Sequence, residues 1–382
     1  MIAGEVVKAG VVMAAVALCL GFAPSSGRSA VIRVPGELPT IQEGVSAAGV
    51  GDTVLVAPGT YTGPLNRNID FEGTNLVLVS ESGPEFTTLD CSSAGRGLLF
   101  VSGEDSTSVL DGFTVTAGLH EIGGALFCKG SAPTVRNCEF SANQSPGVGG
   151  AVACVAASPL IADCVFYGNS SELALEGEGG ALYCSQGAAP AVSRCVFFGN
   201  SSDMGGAVSC SDGCAPVLSG CLMLENAGDS GGALACLGTS TLTMETCTLV
   251  GNMGVAGCGV YVDGTSMLVG DRSIIAFGYK GEAVVCSQPG GTVLLSCCDV
   301  FGNEDGDWTG CISGQNGVDG NIEKDPLFCH HANPSERYSL HSDSPCAPEN
   351  SPGCGGIGAL GVGCGPTSVQ TTTWGRIKAL HR

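Results

Sequence analysis

The chain has 382 residues, 61 of them glycine and 22 cysteine, with 5% aromatic and 13% charged side chains and a formal net charge of −21. A surface that acidic excludes nucleic acid and anionic membranes as partners, and polyanionic sugars unless a divalent cation bridges the two. A core poor in aromatics must be built from small and β-branched residues, and a chain of this length escapes the usual limit on domain size if each unit packs only on its neighbours.

Residues 1–30 read as a secretory signal: Lys8, an apolar run over 11–23, then small and polar residues up to Ala30. Glu5 ahead of Lys8 and Arg28 near the expected cut depart from that pattern, and the bulky Leu18 before Cys19 argues against a lipoprotein anchor. No other segment has the length and hydropathy of a membrane-spanning helix. Removing residues 1–30 leaves 21 cysteines, an odd number, which in a secreted chain implies at least one free thiol or an intermolecular bridge.

Residues 31–52 are expected to cap the N-terminal end. Thr40-Ile41-Gln42-Glu43 is a capping box, and Ile41, Val45 and Ala48 share one face, so a short amphipathic helix is expected over 41–49. Residues 53–118 are strand-like: Thr53-Val54-Leu55-Val56, Leu76-Val77-Leu78-Val79, Leu98-Leu99-Phe100-Val101 and Phe113-Thr114-Val115 alternate with Pro58-Gly59, Gly73-Thr74 and Gly83-Pro84.

From residue 123 to 308 one phrase recurs. Gly123-Gly124-Ala125-Leu126-Phe127-Cys128 leads through Pro133 to Cys138, Phe140 and Asn143, and the phrase restarts at Gly149, Gly179, Gly205 and Gly231, then in degraded form at Gly257 and Gly281. The starts are 26, 30, 26, 26, 26 and 24 residues apart. After each clear Gly pair the fourth and sixth positions are apolar and Cys, which points them inward, while the fifth (Phe127, Ala153, Tyr183, Ser209, Ala235) varies and is expected to face solvent. Val135, Ile161, Val192, Leu218 and Met244 each stand three residues before the second Cys, a spacing that breaks the strand period and marks a corner. Three short strands and three corners per unit describe an all-β, single-stranded right-handed parallel β-helix (a solenoid), with coils stacked about 4.8 Å apart and a rod on the order of 50 Å long. Asn143, Asn169, Asn200, Asn226, Asn252 and Asn303 then pile into a ladder at one corner, where Asn also tolerates a left-handed backbone.

Residues 309–365 drop the repeat but keep Cys311, Cys329, Cys346, Cys354 and Cys364. They are expected to form a Cys-rich C-terminal cap, with final strands near Asp325-Pro326-Leu327-Phe328-Cys329 and Tyr338-Ser339-Leu340 and a bridge such as Cys346 to Cys354. Residues 366–382, with Trp374-Gly375-Arg376-Ile377-Lys378, read as a flexible basic tail, with a docking or sorting role as the sharper alternative.

The Gly-Gly-Ala steps paired with Phe-Ser-Ala-Asn, Phe-Tyr-Gly-Asn and Phe-Phe-Gly-Asn resemble the repeats of chlamydial polymorphic outer-membrane proteins. The segment 39–63 is similar to the entry segment of bacterial proteins in the pectate-lyase-like β-helix superfamily. Together these cover about residues 37–308. The chain lacks the C-terminal barrel of the chlamydial proteins. The resemblance implies a surface or secreted location and, among enzymes of the superfamily, sugar-polymer substrates. Lyases of that kind use clustered carboxylates for Ca²⁺ with an Arg base, and hydrolases use two or three Asp on neighbouring coils.

Measured against that chemistry, the fifth position of the Gly-Gly strand carries no carboxylate, and Asp90, Asp111 and Asp163 fall at different points of their coils. Asp271-Arg272 is the acid–base pair to test first, weighed against the plainer reading of a solvated corner. The five His (His120, His330, His331, His341, His381) form no ladder. No Cys pair has CxxC spacing; Cys210 and Cys214 are CxxxC, and Cys297 and Cys298 are adjacent. Reduced core filling is therefore preferred to a zinc site, with cross-linking within the stack left open. Asn143, Asn169 and Asn200 match the N-glycosylation pattern but belong to the ladder. Asn303-Glu304-Asp305-Gly306-Asp307 has the acidity of a Ca²⁺ loop without the EF-hand spacing.

The sequence thus predicts a secreted or cell-surface β-helix rod, a binding, adhesion or structural protein with a polysaccharide or other cell-surface ligand. A polysaccharide lyase or glycoside hydrolase is the alternative. No catalytic, cofactor-binding or metal residue is assigned, and Ca²⁺ is the one cofactor considered. Any specific chemistry is expected at variable outward positions or in the insertion at 171–178.

Overall fold

The computed structural model of the protein describes residues 29–171, 177–287, 290–329 and 337–365. Residues 1–28 of the expected leader, the basic tail, His330, His331, His381 and most of the 171–178 insertion lie outside the described residues.

The fold is a parallel β-solenoid of about twelve turns. Three long sheets run its length. The first holds 11 strands, from Val31–Val34 to Thr292–Ser296; the second, built from the Gly-Gly strands, holds nine, from Ile69–Asp70 to Val284–Cys286; the third holds ten, from Gly59–Tyr61 to Asp299–Phe301. The strand pairs along these three sheets are parallel and in register, so equivalent residues of successive repeats stack: Cys128 on Cys154, then Cys184, Cys210 and Cys236.

The repeat explains its own composition. The inward Phe residues stack nearly parallel, Phe140 on Phe166 at 5.1 Å and Phe166 on Phe197 at 4.7 Å between centroids. The second Gly of each pair is required by close approach: a Cβ at Gly124 would lie 2.2 Å from the Gly150 carbonyl oxygen one coil on. The buried Asn ladder saturates its corner. Asn200 Oδ1 accepts from the Asn169 backbone N–H at 3.0 Å and from Asn169 Nδ2 at 2.9 Å, while Asn200 Nδ2 donates to Phe166 O and to Asn226 Oδ1. The left-handed residue at this corner, however, is the one before Asn (Ala142, Gly168, Gly199, Glu225, Gly251), so the ladder selects Asn for its amide and not for its backbone. In the degraded repeats Gly278 takes the Asn position because a Cβ there would lie 2.3 Å from Cys258 Sγ.

Four expectations are corrected. The solenoid begins at Val31–Val34, which already pairs with Thr53–Val56, and not at residue 53. The helix spans Ile41–Ala47 and buries Ile41, Gly44 and Val45 over the first coil; Thr40 accepts from the Glu43 N–H and gives its own hydroxyl proton to the Glu43 carboxylate at 2.7 Å. Fifth-position residues are not uniformly solvent-facing: Ala153, Ser209 and Ala235 are buried, since in their column the larger Phe127, Tyr183 and Tyr261 flank them. The disulfides are Cys286–Cys311, Cys297–Cys354 and Cys329–Cys364, which leaves Cys346 a free, buried thiol. Cys297 occupies the left-handed corner ahead of the ladder residue Cys298, and its side chain points out to meet Cys354.

The C-terminal segment does more than cap an end. Phe328, Leu340, Cys346 and Ile357 pack on the outer side of the third sheet, against Val165, Val196, Leu222, Leu224, Val250, Ile274 and Ala276, in a second apolar cluster. Gly358 N–H donates to Arg272 O at 2.7 Å and Ala359 N–H to Thr248 Oγ1 at 2.9 Å. The wrap thus runs back along the rod and closes one face of it.

Candidate functional site

The segment of each coil between the ladder Asn and the Gly pair forms a fourth ridge. Two bridges hold it per coil, one through Gln144, Ser170, Ser201, Ala227 and Met253, the other through Val148, Glu178, Met204, Ser230 and Ala256. Ser201–Met204 and Ala227–Ser230 pair as a short two-stranded sheet. The residue two before the first Gly sits at the crest, which stacks Gly177, Asp203, Asp229 and Val255 on consecutive coils, about 4.8 Å apart. Asp203 Oδ2 accepts from the Gly177 N–H at 2.8 Å, which aims the carboxylate along the rod axis.

Around this crest lies an open recess of about 440 Å³, lined by Ser202, Asp203, Asp229, Met253, Val255 and Lys280, with Gly228 and Gly254 as its floor. Both glycines are forced by packing: a Cβ would lie 2.8 Å from Gly231 O at the first and 2.7 Å from Gly257 O at the second. Val255 is 71% exposed and Tyr279, beside Lys280, 56%. The Lys280 backbone is fixed by its N–H to Glu304 Oε2 at 2.8 Å. Among the described residues neither the Asp229 carboxylate nor the Lys280 ammonium takes part in an ion pair. The arrangement offers anionic acceptors, a cationic donor and an apolar contact on one concave surface.

The residues singled out in the sequence lie elsewhere. Asp111 pairs with Arg136 at 2.8 Å, Asp163 takes Arg194 through Nε and Nη2 at 2.9 and 2.7 Å, and Asp271 takes Arg272 Nε at 2.8 Å and the Ser296 hydroxyl at 2.9 Å. All three pairs mark the corner between the first and third sheets, where Asn137, Asp163, Arg194 and Arg272 are left-handed. Asp90 accepts from Ser92 N–H at 2.8 Å. In the acidic loop, Asp307 binds the Asn303 and Gly302 backbone N–H groups, so its oxygens are turned inward. Among the described residues no group of three or more His, Cys, Asp or Glu could hold a metal ion. Burial, with neighbouring sulfurs adding to it, holds the Cys138, Cys195 and Cys247 thiols well above the usual range, whereas at Cys221, between Cys195 and Cys247, burial is outweighed by the hydrogen bonds it accepts from those two sulfurs. Asn143, Asn169 and Asn200 are fully buried and closed to a glycan.

Asp203, Asp229 and Lys280 were not singled out. The available signal was two carboxylates 26 residues apart at the same offset before a Gly pair, one coil apart by the repeat itself.

A profile described as the right-handed β-helix region matches residues 65–228. No curated protein matches the sequence. Among solved structures, pectate lyase Pel9A is similar with a TM-score of 0.52 at 11% identity, covering 88% of this chain and 97% of that one. A pectin methylesterase from Aspergillus niger gives 0.35 at 15% identity over 79% and 91% of the two chains, and the catalytic domain of a GH87 α-1,3-glucanase in complex with nigerose gives 0.32 at 11% over 79% and 69%. The three disulfides fit an oxidising, extracytoplasmic compartment. Among the described residues no helix is long and apolar enough to cross a membrane. The chain has a right-handed β-helix fold, similar to that of pectate lyase Pel9A.

Proposed function

We propose that the protein is a rigid carbohydrate-binding rod of the cell exterior that holds a neutral saccharide in the recess between Ser202 and Lys280. The observation that carries this reading is the recess itself: exposed Met253 and Val255 supply a face for sugar C–H groups, and Asp203, Asp229 and Lys280 supply hydrogen-bonding groups around it. The net charge of −21 favours a neutral ligand over a polyanion. The reading of residues 1–30 as a secretory signal and the likeness of the repeats to surface proteins support the location.

A second reading, a glycoside hydrolase or lyase, is favoured by one observation: Asp203 and Asp229 stand at the same place on adjacent coils, the arrangement of a paired-carboxylate site. A glycan array with the full chain, followed by product analysis on the bound polymers, separates the two. Binding without turnover, weakened tenfold or more by Val255→Asp and by Asp229→Ala, is the expected result. Product release that disappears in Asp203→Asn and Asp229→Asn would establish the enzyme instead. Silence on every saccharide overturns the carbohydrate reading.

A further inference from the structure

Arg96 is 4% exposed, and none of the ion pairs among the described residues involves it. It stands where the five clear repeats have the second Gly of the pair: Leu98 is in register with Leu126, which places Arg96 level with Gly124. Its guanidinium lies 4.9 Å over the Phe127 ring. Its Nη2 meets His120 Nδ1, and its Nε is buried with no hydrogen-bond partner. Arg has only donors, so His120 Nδ1 must present a lone pair, and the imidazole is neutral. Burial draws the Arg96 guanidinium down to about 10, and burial, with Arg96 beside it, holds the His120 imidazolium below its usual range.

A buried guanidinium without a carboxylate is costly to keep, and a buried N–H with no acceptor adds to that cost. The cation–π contact recovers only part of it. His120, by contrast, is an exposed side chain that supplies a single neutral acceptor where the fork has room for two.

We propose that Arg96 is the anchor of a carboxylate-binding site, in which a ligand carboxylate displaces the His120 imidazole and takes the Nε and Nη2 protons of Arg96 together. The two N–H groups share one edge of the guanidinium plane, which matches the two oxygens of a carboxylate. Phe127 holds the plane from below, and His120 swings outward as the gate. The site is separate from the recess and does not depend on it.

The test is a titration of the full chain with acetate, glucuronate, phosphate and sulfate, with glucose as the uncharged control. It is followed by the ring resonances of His120, one of five histidines in the chain, and by calorimetry. The expected result is a saturable His120 shift with acetate and glucuronate and none with glucose. Arg96→Gln should abolish the shift. Arg96→Lys, which keeps the charge and loses the fork, should weaken binding at least tenfold. His120→Ala should tighten binding severalfold by removing the competitor. No saturable shift with either carboxylate overturns the proposal, as does a response confined to phosphate and sulfate. Because both Arg96 variants alter a buried side chain of the coil, the glucose control and the His120→Ala arm, made with Arg96 intact, decide the matter alone: unchanged or weaker binding in His120→Ala overturns the gate.

Discussion

Replacing Asp299 with Asn should tighten the C-terminal wrap at neutral pH and leave it unchanged in acid. Asp299 is fully buried beneath the wrap; its Oδ1 accepts from the Lys324 N–H at 3.1 Å and its Oδ2 faces Cys346 Sγ at 3.1 Å. Burial is the main cause that pushes its carboxyl up to about 7, with Asp307 and Asp325 adding repulsion and the bonds from Lys324 and Cys346 opposing. Because the closed-state value is raised, the stability linked to this group is complete below the open-state value near 3.8. It falls as pH climbs from there to about 7, and is flat above. A rise of roughly three units corresponds to about 4 kcal/mol at ~1.36 kcal/mol per unit. Asn copies the neutral acid, with its carbonyl toward Lys324 and its amide toward the sulfur. Since the units of a solenoid couple mainly to their neighbours, the gain should appear as slower local opening of the wrap rather than as a shift of the whole unfolding curve. Hydrogen exchange at Ile357, whose N–H donates to Cys346 O at 2.9 Å, reports that opening. The ratio of native to variant rates, in which intrinsic exchange cancels, should be near one at pH 4 and rise by about two to three orders of magnitude at pH 8. A ratio that does not change with pH, or a variant that exchanges faster at pH 8, would refute the reasoning.

Asn200→Ala should destabilise the rod by several kcal/mol in denaturant titration. It strands the buried Asn169 N–H and Asn169 Nδ2 and the Phe166 carbonyl at once, at about 1–3 kcal/mol per unmet group; a loss under 1 kcal/mol would show that the ladder is ornamental. Alkylation of the unfolded, unreduced protein should label the 15 free thiols of the described residues, Cys346 among them, and spare the six cysteines of the three bridges. Labelling of the folded protein should be slow at all 15, because each is buried.

The repeat was legible because each of its residues answers to a constraint repeated every coil. Gly124 and its counterparts avoid a carbonyl, Phe166 stacks on its neighbours, and Asn200 closes a corner, so position in the phrase determines position in space. The wrap was not legible as a lengthwise cover, although its signal was present. The outward positions of the third sheet change from Glu139 and Ser141 to Val165 and Tyr167, then Val196 and Phe198, then Leu222 and Leu224. Outward apolar residues on successive coils demand a cover, and the C-terminal segment supplies it. The pairing of Cys354 with Cys297 rather than Cys346 follows from that course, which no spacing of cysteines encodes.

The recess was illegible for the opposite reason. Its crest row reads Gly177, Asp203, Asp229, Val255: packing holds the first to glycine, where a Cβ would meet Ser171 O, but the three residues after it share no side chain that a ladder, stack or turn imposes. A position free of structural demands can carry a ligand's demands, and this is why the repeat that reveals the fold is silent about the ligand. Arg96 makes the same argument from the other side. It stands level with a residue that the five clear repeats hold to glycine by close backbone approach, a place taken by Cys258 and Glu282 in the degraded coils, and it brings a buried charge that the fold leaves unpaired. A buried guanidinium without a carboxylate, at a cost the scaffold does not offset, is best accounted for by something outside the scaffold. The carboxylate titration tests that inference directly.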